Sequence, residues 1–294
     1  MKLHKGLLLC SSGGLFRVLC EDGSEVGCTA RGALRKKGQS PVAGDWVNFS
    51  KEEAVIQEIL PRKNSLIRPP CANMDLLVLV ISTTDPTPNV RVLDQLLVIA
   101  AKAEMQPVLV FTKGDLKEDP ELMTLYRQAG YAVFSVNSLL GEGVEPLRAF
   151  LAGKTALMLG NSGVGKSTLL NALMPGLDLA TGETSKKLGR GRHTTRCVTM
   201  YPFEGGFLAD TPGFSTVDLL QYGLDDEEQL ADAFLEFLPH LGNCRFADCA
   251  HIKEPGCAIC AAVEAGEIAP SRHESYVAFY EELSKIQKWE KKQG

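Results

Sequence analysis

The octapeptide Gly160-Asn161-Ser162-Gly163-Val164-Gly165-Lys166-Ser167 satisfies the pattern G-x-x-x-x-G-K-[ST]. Its glycines free the backbone to turn successive N–H groups onto phosphate oxygens. The apolar run Thr155–Leu159 enters it as a strand, and a helix-period stretch, Lys166–Leu173, leaves it. The start of that helix points the positive end of its dipole at the same anion. The pattern assigns the Lys166 ammonium to the β- and γ-phosphates and the Ser167 hydroxyl to Mg²⁺. Thr168 closes the cradle on the first helical turn.

Strands and helices alternate on the amino-terminal side. Leu76–Ser82 is a continuous apolar strand, followed by helical spacing at Val90, Leu93, Leu96, Leu97, Ala100 and Ala103. A strand over 107–111, a helix near 121–129, the strand Ala132–Val136 and a helix near 144–152 come next. Such alternation predicts a parallel sheet covered on both faces. Two strand ends carry polar clusters. At Thr112-Lys113-Gly114-Asp115, the Asp115 carboxylate can accept from N1–H and N2–H of guanine, which adenine does not offer, and the Lys113 stem can lie along the base. At Ser135-Val136-Asn137-Ser138, a backbone N–H can reach the guanine O6. Both sit where open α/β sheets bind ligands.

On the carboxyl-terminal side, 177–196 is polar, glycine-rich and basic, and is expected to be a mobile loop. Strands are expected around 197–202 and 207–209. Asp210-Thr211-Pro212-Gly213 follows: Asp210 can hold Mg²⁺ through water, and the Gly213 N–H can sense a γ-phosphate. Acidic, helical sequence (Asp225, Asp226, Glu227, Glu228) leads to a cysteine cluster and a last helix over about 271–292.

The first sixty-odd residues read as five short strands, over 7–10, 15–20, 25–29, 45–49 and 54–59, which suits a small closed barrel. One loop, 31–37, carries Arg31, Arg35, Lys36 and Lys37 without an acid, a cue for phosphate-backbone contact. At the other end, Cys244-x₄-Cys249-x-His251-x₅-Cys257 offers three thiolates and an imidazole, a set suited to closed, structural, tetrahedral Zn²⁺. Cys260 makes a competing Cys257-x₂-Cys260 pair. The cluster is expected to pin a small helical domain that would otherwise lack a core.

Composition narrows the class. The 294 residues carry a net charge of −5, which excludes a uniformly basic nucleic-acid coat. Apolar runs are too short for a bilayer, and no signal peptide is read, so a cytoplasmic protein is expected. Five of nine cysteines (Cys10, Cys20, Cys28, Cys71, Cys197) lack a framework spacing, and metal is favoured over disulfides for the clustered four.

The motifs resemble those of the translation-factor-like GTPases in rotated order: base-reading elements first, then the phosphate loop, then the switches. With a basic barrel before and a cysteine cluster after, the whole chain resembles the circularly permuted small ribosomal subunit biogenesis GTPases. The specific points are GNSGVGKS at 160–167, GRGRHTTR at 189–196, DTPGF at 210–214 and the cysteine signature. The resemblance implies an α/β architecture of three parts. They are an OB-like barrel (1–63), a circularly permuted P-loop GTPase domain (64–221) and a helical zinc-binding domain (222–294). It implies GTP hydrolysis stimulated by the small (30S) subunit in its late maturation, with rRNA contacts from barrel, switch loop and zinc domain, by a monomer without membrane attachment. GTP or GDP, Mg²⁺ and one structural Zn²⁺ are the implied cofactors. The family pattern ends at Cys257, which leaves Cys260 a bystander.

Two positions depart from common GTPase usage. Thr112 stands where the guanine motif begins with Asn, a residue that braces the phosphate loop and the base edge, so weaker nucleotide affinity is implied. Phe214 follows Gly213 where many GTPases place a Gln that orients the attacking water. The family shares that substitution, and His193 is its implied replacement, an imidazole able to accept from water. Thr194 or Thr195 supplies a second Mg²⁺ hydroxyl; the sequence does not choose between them. The 177–196 loop also carries Lys186, Lys187, Arg190, Arg192 and Arg196 against two acids, Asp178 and Glu183. Two other readings are a P-loop ATPase or kinase, opposed by Asp115, and an RNA-binding scaffold with a vestigial nucleotide site, opposed by Lys166, Ser167 and Asp210.

Overall fold

Period-two burial builds the amino-terminal part. In β2 (Leu15–Cys20), Phe16, Val18 and Cys20 turn inward while Leu15 and Arg17 face out. With β1 (His4–Ser12), β3 (Glu25–Ala30), β4 (Trp46–Ser50) and β5 (Val55–Ile59), the pairings run β1–β2–β3–β5–β4 and return to β1. The ring closes through the pairing of Thr29 with Val55 and Ala30 with Ile56 between β3 and β5 and surrounds a core of Leu8, Phe16, Val18, Cys28, Val47, Phe49 and Ile56. The computed structural model describes residues 2–32, 34, 40–116, 119–177, 179, 197–211 and 229–290. Arg35, Lys36 and Lys37, most of the 177–196 loop with His193, Thr194 and Thr195, Gly213 and the acidic stretch 225–228 lie outside the described residues.

A short two-stranded ribbon, β6 (Ser65–Leu66) and β7 (Cys71–Ala72), leads to the central sheet. Its strands are β8 (Leu76–Ser82), β9 (Gln106–Thr112), β10 (Ala132–Val136), β11 (Thr155–Leu159), β12 (Thr199–Phe203) and β13 (Gly206–Asp210). The order is β10-β9-β8-β11-β13-β12, parallel except for β12. All seven residues of β8 are buried, as a strand with both faces covered requires. The helices between strands are α1 (Val90–Lys102), α2 (Pro120–Gln128), α3 (Val144–Leu151) and α4 (Lys166–Leu173). Sequence signals fix their starts: the Asn89 side chain accepts from Val92 N at 3.2 Å, and Asp119 caps α2 just before Pro120. Only residues 152–154 join α3 to β11, which enters the sheet between β8 and β13. The sheet packs by position in space, so chain order is free to rotate. β1 also pairs with β12 (Cys10 opposite Thr199), so barrel and sheet share one hydrogen-bonded network.

Some expectations need correction. The strand predicted over 197–202 runs Thr199–Phe203, and the one over 207–209 extends to Gly206–Asp210. The two pair as a tight hairpin turning at Glu204 and Gly205, both at positive φ. The last helix, α6, spans Pro270–Glu290, preceded by α5 (Ala258–Glu264). The carboxyl-terminal part does not lack a core. Phe234, Phe237, Ile259, Tyr276 and Phe279 join the same apolar cluster as Leu93, Leu96 and Leu97 of α1. Phe234 stacks on Phe237 at 5.0 Å and meets Tyr276 edge-on at 5.5 Å.

Arg272 locks that joint. It is 1% exposed, and its guanidinium meets Asp94 of α1 and both Glu236 oxygens (2.5 and 3.3 Å). It also donates to Tyr131 Oη at 3.1 Å and lies over Phe234. Tyr126 Oη donates to Asp94 Oδ1 at 2.8 Å. Arg272→Met leaves two buried carboxylates without their cation, which costs about 3–5 kcal/mol. The unfolding free energy from urea denaturation should fall by about that amount; an unchanged midpoint at unchanged slope would mean the pair contributes nothing.

Candidate nucleotide-binding site and metal centre

Parallel strands present their carboxyl ends on one side, and every described polar motif sits there. Val136 of β10 and Ser82 of β8 both register with Thr112 of β9, while Asp210 ends β13 opposite Met158 of β11. The 160–167 loop leaves β11 at the same level. Gly165 caps α4 at φ +94, a left-handed conformation that side chains resist. Lys166 is 9% exposed, and its ammonium contacts the Asp210 carboxylate and the Thr211 carbonyl. Phosphate loop and Asp210 strand end therefore meet through one cation.

Thr112 is buried, and its hydroxyl reaches the Val164 carbonyl at 2.6 Å and Ile81 O at 3.2 Å. The shorter side chain thus keeps the brace on the phosphate loop that the Asn-to-Thr change put in question. The next residue, Lys113, adopts φ +61 and sends its ammonium to Asp85 O. Asp115 is exposed at the tip of this turn. A Cβ on Gly114 would lie 3.7 Å from Ser135 Oγ, so the base-reading turns adjoin. Asn137 Oδ1 accepts from Leu139 N and Leu140 N, shaping the second turn. Ser138 Oγ is buried without a hydrogen-bond partner among the described residues. A buried hydroxyl that no described residue satisfies is one that a bound molecule can satisfy.

Two supporting side chains have roles that the sequence does not assign. The Thr83 hydroxyl donates toward Thr112 O (3.1 Å) and Lys113 O (3.0 Å), holding the turn from behind. Thr211 donates to Met158 O at 2.8 Å, tying the segment after β13 to β11. Neither is marked by spacing, because both act on a neighbouring strand.

Cys244, Cys249, His251 and Cys257 converge, with all ligand atoms within 4.8 Å of one another. Cys244 Sγ lies 3.9 Å from Cys257 Sγ and 3.4 Å from His251 Nδ1, and Cys257 Sγ lies 3.6 Å from that nitrogen. Tetrahedral zinc with ordinary bond lengths needs S···S edges of about 3.8 Å and S···N edges of about 3.5 Å. The donor set therefore fits the ion and is far too open for a disulfide. Burial pushes the Cys249 thiol up to about 12 and the Cys257 thiol up to about 11, while burial lowers His251 toward its neutral, ligating form. Metal capture must displace the thiol protons.

The surrounding loop is held from outside. Burial opposes the Glu254 carboxylate, yet N–H groups of Ala250, Ile252 and Lys253 hold its carboxyl below the usual range. The imidazole of His273 contacts His251 O at 2.7 Å, and Tyr276 donates to Ala250 O at 2.9 Å, both from α6. Cys260 is not among the four converging residues and contacts the Ile252 carbonyl instead.

The chain matches two family models, described as RsgA N-terminal domain over residues 5–56 and RsgA GTPase over residues 59–220. A relative from Geobacillus sp. (strain WCH70), named small ribosomal subunit biogenesis GTPase RsgA, is 41% identical, covering 96% of this chain and 98% of its own. One of the same name from Streptococcus pneumoniae is 42% identical over 95% and 94%. Among solved structures, YjeQ from Thermotoga maritima is similar with a TM-score of 0.78, 33% identity and coverage of 96% of this chain and 99% of that one. YloQ, described as a circularly permuted GTPase, has a TM-score of 0.77 at 33% identity, covering 97% of this chain and 96% of that one. A barrel closed as 1-2-3-5-4, a rotated strand order around a phosphate loop and full-length similarity of this kind agree on one answer: the chain belongs to the RsgA GTPase family.

Proposed function

We propose that this GTPase hydrolyses GTP to GDP and phosphate when stimulated by the small (30S) ribosomal subunit, in late maturation of that particle. The observation that carries the reading is the gathering of the phosphate loop, Asp210, Asp115 and the 135–138 turn at the carboxyl ends of the parallel strands. The relatives bearing the subunit-biogenesis name supply the partner. The protein acts as a monomer in the cytoplasm. No helix among the described residues is long and apolar enough to cross a membrane.

Each residue then has a task. The 160–167 backbone and Thr168 cradle the phosphates, and Lys166 neutralises charge on the β- and γ-phosphate oxygens. Ser167 and Asp210 would hold Mg²⁺, Ser167 directly and Asp210 through water, with Thr194 or Thr195 adding a hydroxyl. That ion supplies further neutralisation of the phosphates. Asp115 selects guanine, Lys113 flanks the base, and the 135–137 backbone addresses O6. Gly213 senses the γ-phosphate. His193 accepts a hydrogen bond from the attacking water, a task the Phe214 ring cannot do. Cys244, Cys249, His251 and Cys257 would hold the structural Zn²⁺.

The five cations of the 177–196 loop are the route to stimulation. Subunit RNA pairs with them and so brings His193 to the γ-phosphate. Neutralising Arg190 and Arg192 together should abolish stimulation by 30S subunits and spare the unstimulated rate; an unchanged stimulated rate would reject this route. The reading as a whole is tested by phosphate release from GTP and from ATP, with and without purified 30S subunits. Turnover of GTP alone, raised by subunits, is the expected result. Equal use of ATP, or no response to subunits, would sink it.

A further inference from the structure

Among the described phenylalanine and tryptophan rings, two are exposed: Trp46 of the barrel (39%) and Phe246 of the zinc loop (43%). Each has a cation over its face. Lys5 Nζ lies 4.7 Å from the Trp46 ring centre, and the Arg245 guanidinium 5.4 Å from that of Phe246. A lone exposed apolar side chain is ordinary on any surface. The company and the footing of these two are what need explaining.

Both rings stand on or beside hydrogen-bonded backbone. Trp46 sits in β4, opposite Leu7 of β1, with Asn48 and Lys5 forming the next pair on the same face. Phe246 sits between the metal ligands Cys244 and Cys249. Arg245 N donates to Gly256 O at 3.0 Å. Gly256 has φ +79, and a Cβ there would lie 2.9 Å from Arg245 Cβ. The loop is thus clamped by the ligand cluster on one side and by a close backbone approach on the other. Residues 245–248 and Lys253 face outward, while the nearby Glu254 carboxylate is taken up by backbone N–H groups.

We infer that Trp46 and Phe246 are stacking platforms for unpaired bases of RNA, with Lys5 and Arg245 engaging the same bases or their phosphates. A flat ring accepts any base face, and an adjoining cation adds attraction to the backbone. Paired RNA hides its base faces, so the target is single-stranded. The inference rests on the reading that this chain works on small-subunit RNA, and it names which residues of the two flanking parts grip that RNA, and how. A partner that used these rings only as apolar area would be satisfied by leucine as well.

The test therefore compares leucine, alanine and aromatic replacements of Trp46 and Phe246 in the full-length, zinc-loaded protein. The probes are a labelled unpaired RNA of about 12 nucleotides, within the site size of a small barrel, and purified 30S subunits. Trp46→Leu and Phe246→Leu should each weaken RNA binding about fivefold or more. Trp46→Phe and Phe246→Tyr should restore it, and an RNA duplex should compete poorly. Unchanged zinc content and thermal midpoint show that the variants fold. RNA binding by the leucine variants equal to wild type overturns the inference, even where wild type binds subunits and the functional reading stands. Loss of subunit binding in alanine but not leucine variants also overturns it, in favour of a protein contact. Wild-type protein that binds the oligonucleotide through the rings but not the subunit keeps the inference and removes the functional reading.

Discussion

Lys166→Ala is expected to lower GTP turnover by about 10²–10³-fold, the usual cost of removing one preorganised group that stabilises developing charge. Lys166 is 9% exposed and already contacts Asp210 and the Thr211 carbonyl, so its ammonium is held where both motif segments meet. Truncation removes the cation and the link between the segments at once. Subunits should not restore the rate, because ordering a loop cannot replace a missing charge. Lys166→Arg should also fail: a planar guanidinium is larger and cannot act as a compact ammonium in a buried slot. Single-turnover phosphate release measures the effect, with circular dichroism confirming the fold. Near-wild-type turnover by the alanine variant would remove the phosphate loop from the chemistry.

How much of this site could be read before any coordinates depends on how far apart the interacting residues are in the chain. The phosphate loop was legible because its strand, turn and helix are consecutive. β8 was legible because seven buried residues in a row leave a continuous apolar run. The convergence of residues 112–115, 135–138, 160–167 and 210 follows once the sheet is known to be parallel. The supports were not legible. The Thr112 brace on Val164 spans 52 positions, and the Arg272 contact with Asp94 spans 178. Periodicity reports only on near neighbours. The same limit hid the shared core: Phe234, Phe237 and Phe279 look like a small separate cluster until α6 is seen packed on α1. The four residues that could hold a metal ion lie within fourteen residues, and their grouping was readable from spacing: their donor atoms converge.

That shared core changes what zinc removal should do. A finger that owes its fold to metal unfolds without it. Here α5 and α6 are anchored by Ile259, Tyr276, Phe279 and buried Arg272, none of which touches the ion's ligand set as a donor. Chelation should therefore leave the helical signal of far-ultraviolet circular dichroism largely intact. It should still lower stability by about 4 kcal/mol when the metal was present at a thousandfold excess over its dissociation constant. For a chain of this size that is a fall of about 8–16 °C in melting temperature. The loss belongs to the loop that carries Arg245 and Phe246, because the ligand residues Cys244 and Cys249 flank it on both sides. Cys257→Ser should give protein with less than stoichiometric zinc and the same lowered melting temperature. Cys260→Ser should retain one zinc per chain, because the Cys260 thiol contacts the Ile252 carbonyl and stands outside the four donors. Metal content by atomic absorption decides the point, and zinc lost from Cys260→Ser but kept by Cys257→Ser would reverse the ligand assignment. A chelated protein that unfolds completely would show that the aromatic cluster cannot hold the carboxyl-terminal part alone. One that melts unchanged would show that the site carries no metal at all.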